Sequence, residues 1–137
     1  PRPLTYDPAR LAGWLPTFDA LVALDRDQPD VAFACLRADI DYRALWCHEW
    51  TQRWRAWYAA LWAGAAVLTG QPDAASRVER AARAARQNPI AAAIVARAAD
   101  VLHGRGKAVR AHARAFARLG CGYQERRTQR LARRLGA

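Results

Sequence analysis

The sequence contains no methionine, one lysine (Lys107) and only three cysteines, at positions 35, 47 and 121. An odd number of widely spaced cysteines is not a disulfide framework, so the thiols read as small hydrophobes in a reducing cytoplasm. No C-x2-C pair occurs, and Cys47 beside His48 lacks the clustered ligands of a zinc site, so no cofactor or metal is expected. No run of about 18 uncharged apolar residues is present, which excludes a membrane-spanning helix. The first ten residues include Arg2, Asp7, Arg10 and three prolines, which is not a signal peptide. β-Branched residues are sparse, and no segment alternates apolar and polar residues long enough for a half-buried strand.

What is present points to helices. Of 137 residues, 33 are alanine and 21 arginine, and 53% are hydrophobic, enough to bury the core of a single domain spanning 1–137. A chain beginning at Pro1 rather than Met reads as a processed or excised piece of a larger protein. The net charge of +10 is unevenly placed. Residues 1–50 hold five arginines against eight acids, and residues 51–104 seven arginines against three acids. Residues 105–137 hold nine arginines and Lys107 against Glu125 alone. That basic terminal part suits phosphates, acidic protein surfaces or acidic neighbouring domains.

Caps and breakers divide the chain into about seven helices. The first opens either at Asp7-Pro8 or, after Gly13, near Pro16, and runs to Leu24. Gln28-Pro29-Asp30 opens a second, to about Ala38. A third, from about His48 to Leu68, places Trp50, Trp54, Trp57, Leu61, Ala65 and Leu68 within roughly 80° of arc, with Tyr58 and Trp62 on one flank. Helices over 73–87, 88–103, 107–119 and 123–135 follow, separated by Gly70, Asn88-Pro89, Gly104 and Gly120. Ala65-Ala66-Val67-Leu68-Thr69-Gly70-Gln71 aligns with Ala99-Asp100-Val101-Leu102-His103-Gly104-Arg105 at an offset of 34 residues. That is the length of a tetratricopeptide unit, so the expected fold is all-α: antiparallel tetratricopeptide-like helix pairs stacked as an α-solenoid.

Catalytic templates fail one after another. His48-Glu49-Trp50-Thr51-Gln52 begins like H-E-x-x-H, but Gln52 stands where the second ligand belongs. Gly104-Arg105-Gly106-Lys107 ends like a phosphate loop, yet Val101 and Ala108 replace the required Gly and Ser/Thr. No nucleophile, base and orienting acid cluster, so the chain is not expected to be an enzyme. Two sets of binding candidates remain. The tryptophan-rich helix is expected to fill the core, with Trp54 and Trp57 central; the alternative is a groove in which Trp50, Tyr58 and Trp62 hold a protein segment or small effector. Arg110, Arg114 and Arg118, then Arg126, Arg130 and Arg134, recur every four residues, as a solvated face or as a basic ridge for nucleic acid. A helix-turn-helix on Leu119-Gly120-Cys121 would need apolar residues six and nine positions after the glycine. Arg126 and Gln129 stand there, so direct DNA binding is the lesser expectation.

Three segments are familiar together: Trp57-Tyr58-Ala59-Ala60-Leu61-Trp62 through Gly70; Asn88-Pro89-Ile90-Ala91 through Ala99; and Leu119-Gly120-Cys121-Gly122-Tyr123-Gln124 with Arg127-Thr128. Their order and spacing resemble the C-terminal helical-repeat region of large actinobacterial LuxR-type, ATPase-linked transcriptional regulators. The resemblance implies tetratricopeptide-like helices with a sensor or scaffold role in transcription regulation. It transfers no catalytic residue. The partners it implies are a protein segment or neighbouring domains of a larger cytoplasmic chain.

Overall fold

The structure is a computed structural model that describes residues 15–46 and 49–136, apart from the side chains of Ala44 and Trp50. The helices are α1 (Leu15–Asp25), α2 (Pro29–Cys35), a 3-10 turn (Arg43–Trp46), α3 (Glu49–Gln52), α4 (Arg55–Leu68), α5 (Ala74–Ala85), α6 (Pro89–Leu102), α7 (Gly106–Arg118) and α8 (Gly122–Arg134). The protein is all-α, with seven helices longer than a single turn and no strand among the described residues. Of the two starts considered for the first helix, the later one matches α1; Asp7-Pro8 lies outside the described residues.

The local signals act as the sequence suggests. Asn88 Oδ1 accepts the Ala91 N–H at 3.0 Å, and Pro89 takes the first helical position of α6. At the end of α4, Gly70 sits at φ +65°, Gln71 N–H reaches Ala66 O (2.9 Å) and Gly70 N–H reaches Val67 O (3.2 Å). This left-handed cap recurs at Gly104 (φ +67°), 34 residues on, where Arg105 N–H reaches Asp100 O (2.8 Å). The helix pairs α4–α5 and α6–α7 therefore fold back at the two glycines related by the repeat. Asp27 adopts the same left-handed backbone (φ 57°) after α1, with Gln28 N–H bonded to Ala23 O.

Two expectations are corrected. The second helix ends at Cys35 rather than Ala38, because Leu36 already has non-helical backbone (φ −99°, ψ 47°). The tryptophan-rich helix is not continuous: the chain breaks at Arg53–Trp54, dividing it into α3 and α4, with no glycine or proline to announce the break. The covering of α4 extends well beyond the stripe and its flank. Tyr58, Ala59, Ala60, Leu61, Trp62, Ala63, Ala65 and Ala66 are all buried, so the helix is enclosed nearly all round. A helix apolar on every side belongs at the centre of a domain. α4 accordingly contacts α1, α2, α5 and α6, its alanines allowing close approach.

The first and last described helices meet. Tyr123 donates its hydroxyl to Leu21 O (2.8 Å), and Arg130 and Arg134 pair with Asp25 and Asp27, each at 2.8 Å. An open stack of repeats holds its ends apart. Here the C-terminal helix closes back on the N-terminal pair.

Tyr58 ties the 37–42 connection to the hub by donating to Ala38 O at 2.7 Å. Burial pushes its phenol up to about 12, with the Arg77 charge opposing. The folded state thus favours the neutral phenol. Its contribution is complete below the unfolded value of about 10 and is lost as pH rises through the folded value. Urea midpoints of the wild type are expected to fall across that alkaline interval more steeply than those of Tyr58→Phe. Parallel curves would refute the assignment.

Candidate functional site

The 37–42 connection, the 3-10 turn, α3, the start of α4 and the end of α5 enclose an open cleft of about 870 Å³. Its apolar lining is Trp46 with Ile40, Ala56 and Ala84; the Trp46 ring stands edge-on to Tyr58 (centroids 5.5 Å apart, 80°) and its Nε1 donates to Ile40 O at 2.7 Å. Arg43, Arg53 and Arg55 line it, with Gln52, Gln87 and Asn88 supplying neutral polar groups. Asp41 is the carboxylate of the lining among the described residues, and it is already engaged by Arg55 (2.8 Å) and Arg80 (2.7 Å). Arg80 also forks onto both oxygens of Asp39. That hydrogen bonding holds the Asp39 carboxyl below its ordinary range, outweighing the opposing effect of burial. Arg43 and Arg53, both exposed, pair with no carboxylate of the described residues, so the cleft presents free positive charge beside an indole. A smaller recess of about 180 Å³, lined by Arg55, Arg80 and Arg83, adjoins it. No nucleophile or acid–base pair lines the cleft among the described residues, and no cluster of three or more metal-ligating side chains occurs among them. Cys47 and His48 lie outside the described residues.

Two of the three aromatic groove candidates are buried. Tyr58 is 1% exposed and Trp62 2% exposed, and the Trp62 ring is covered by Arg77 (4.4 Å to its centroid) and Arg80 (5.2 Å). The Trp50 side chain lies outside the described residues. Trp54 and Trp57, the expected centre of the core, are only half-buried; Trp54 meets Phe18 at 5.1 Å. Further along the same helix, Leu61 and Ala65 of the expected stripe are buried together with Tyr58 and Trp62 of its flank.

The basic ridge divides by helix. Arg110, Arg114 and Arg118 on α7 are exposed, as is Arg126 on α8. Arg130 and Arg134 are committed to Asp25 and Asp27 and fasten α8 to the turn after α1. Arg127, one position from the expected ridge, is buried, and so is Arg97 on α6.

No family model, curated protein or solved structure matches this chain.

Sequence reasoning overlooked Arg43, Trp46, Arg53 and Arg55 as a set. The cleft joins residues 40–56 to residues 84–88, and nothing in either segment alone signals the other. The only local hint is that Trp46 lies between Arg43 and Arg53 in the sequence.

Proposed function

We propose that this chain is a non-enzymatic interaction module, the tetratricopeptide-like regulatory part of a larger transcriptional regulator, and that its cleft holds an acidic segment of a partner protein or neighbouring domain. The observation that carries the reading is the pairing of Trp46 with Arg43 and Arg53, whose charges have no carboxylate partner among the described residues. An extended acidic segment with an apolar side chain complements that surface: guanidinium groups match carboxylates in geometry, and the indole supplies apolar contact. The resemblance to the helical region of LuxR-type regulators supports the same role.

The alternative, nucleic-acid binding by the basic C-terminal helices, rests on α7, since two of the six ridge arginines are occupied by ion pairs. Exposed Arg126 and Gln129 leave α8 no apolar contact at the positions that would fix a recognition helix.

The test is a titration of the full chain with a fluorescein-labelled peptide of alternating Glu and Leu, at roughly 150 mM salt. Arg43→Ala with Arg53→Ala is expected to weaken binding about tenfold or more, equivalent to about 1.4 kcal/mol. Arg110→Gln, Arg114→Gln and Arg118→Gln together should change it little. The reverse pattern, or submicromolar binding of duplex DNA with a steep salt slope, would replace this reading with the nucleic-acid one.

A further inference from the structure

The cleft and the smaller recess share one wall, formed by Ile40, Asp41, Arg55 and Ala84. On that wall a carboxylate of the chain itself is gripped by guanidinium groups from two helices. Arg55 opens α4 and donates from Nη2 to Asp41 Oδ1 at 2.8 Å. Arg80, on α5, donates from Nη2 to Asp41 Oδ2 at 2.7 Å. Each oxygen takes its own guanidinium, so the two arginines form a clamp around one anion. Its parts are held in place. Asp39 Oδ1 accepts the Asp41 N–H at 2.9 Å, which fixes where the Asp41 backbone stands. Arg80 lies 5.2 Å from the centroid of the buried Trp62 ring and forks onto both oxygens of Asp39.

The clamp bears on what the cleft can hold. A carboxylate carries one charge and is matched by a single guanidinium in a bidentate pair. A phosphoryl monoester carries about −1.5 to −2 charges near neutral pH and three acceptor oxygens, and it is held where several arginines converge. Arg43 and Arg53 stand on separate segments, the 3-10 turn and the residues before α4, so each suits one carboxylate. The place where two guanidinium groups do converge is already filled. A phosphoryl group entering there must displace Asp41 and then lie beside its negative charge. A carboxylate needs only the open arginines.

We propose that Asp41 is a specificity-determining residue of the cleft. By filling the clamp it favours segments with carboxylate side chains over segments that carry phosphoryl groups. The inference rests on the reading of the cleft as a site for an acidic segment. Removing the Asp41 charge leaves the wall standing, since Arg80 keeps Asp39 and Arg55 keeps Ile40 O at 3.4 Å. The Asp41 side chain is 62% exposed, and ion pairs open to water add little to stability. Asp41→Asn should therefore fold, with its clamp open.

The experiment titrates the full chain with two fluorescein-labelled peptides, one alternating Glu and Leu, the other alternating phosphoserine and Leu, at roughly 150 mM salt. Wild type is expected to bind the Glu peptide at least as tightly as the phosphoserine peptide. Asp41→Asn should tighten the phosphoserine peptide about tenfold or more and the Glu peptide by less than about threefold, because the effect scales with ligand charge. Asp41→Glu keeps the carboxylate and should keep the wild-type order. Asp30→Asn makes the same change in net charge at an exposed position that lines neither hollow, and it too should behave as wild type. A wild type that prefers the phosphoserine peptide, equal shifts for both peptides in Asp41→Asn, or the same shift in Asp30→Asn would overturn the assignment and leave the reading of the cleft intact. Glu-peptide binding indifferent to Arg43→Ala with Arg53→Ala would instead remove that reading, and this assignment with it.

Discussion

Trp62→Ala is expected to lower the free energy of unfolding by about 3–5 kcal/mol, the range for truncating a buried aromatic. The ring is 2% exposed, sits on the helix that four others pack against, and carries two guanidinium groups over its face. Domains of ordinary stability hold about 5–15 kcal/mol, so the variant would be close to unfolded at physiological temperature. Trp57→Ala, at a half-buried position, should cost about 1–2 kcal/mol. Urea denaturation of the two variants side by side decides it. Equal losses, or a larger loss at Trp57, would show that the stripe expected from helical periodicity is the true core face.

The second large effect has the opposite sign. Arg127→Met is expected to raise stability by about 1–4 kcal/mol, the gain seen when desolvated ionic groups give way to apolar ones. Methionine reaches into the same space with a flexible apolar chain, and no hydrogen bond is lost with the guanidinium. The gain belongs to neutral pH. Because burial depresses the Arg127 pKa to about 10, the unfolded chain binds more protons above that pH, and wild-type stability recovers as the group deprotonates. The difference between variant and wild type should therefore narrow in alkaline solution. A variant less stable than wild type at neutral pH would mean that Arg127 is held by favourable contacts rather than strained by burial.

Residues near one another in the chain were sufficient to read the helical class and most of the boundaries. A cap depends on a few neighbouring groups: Asn88 needs only Ala91 N–H, and the turns at Gly70 and Gly104 need only the positive φ that glycine tolerates. Composition likewise sufficed to show that no described helix crosses a membrane, since that requires a long apolar run. Which faces point inward was decided only in three dimensions. In alanine-rich helices the contrast between faces is weak, so periodicity selected the stripe through Trp54 and Trp57, while the four neighbours of α4 bury its Tyr58 and Trp62 flank as well. On α8 the ordinary rule reverses: Gln124 and Thr128 go inside because Arg97 on α6 is their polar partner, Arg127 is buried beside them, and Leu135, just past the helix, is 45% exposed. The cleft, the closure of Asp25 onto Arg130 and the clamp on Asp41 all join residues far apart in the chain. Their chemistry depends on distances and desolvation that no local pattern encodes, so only the tertiary structure could bring them together.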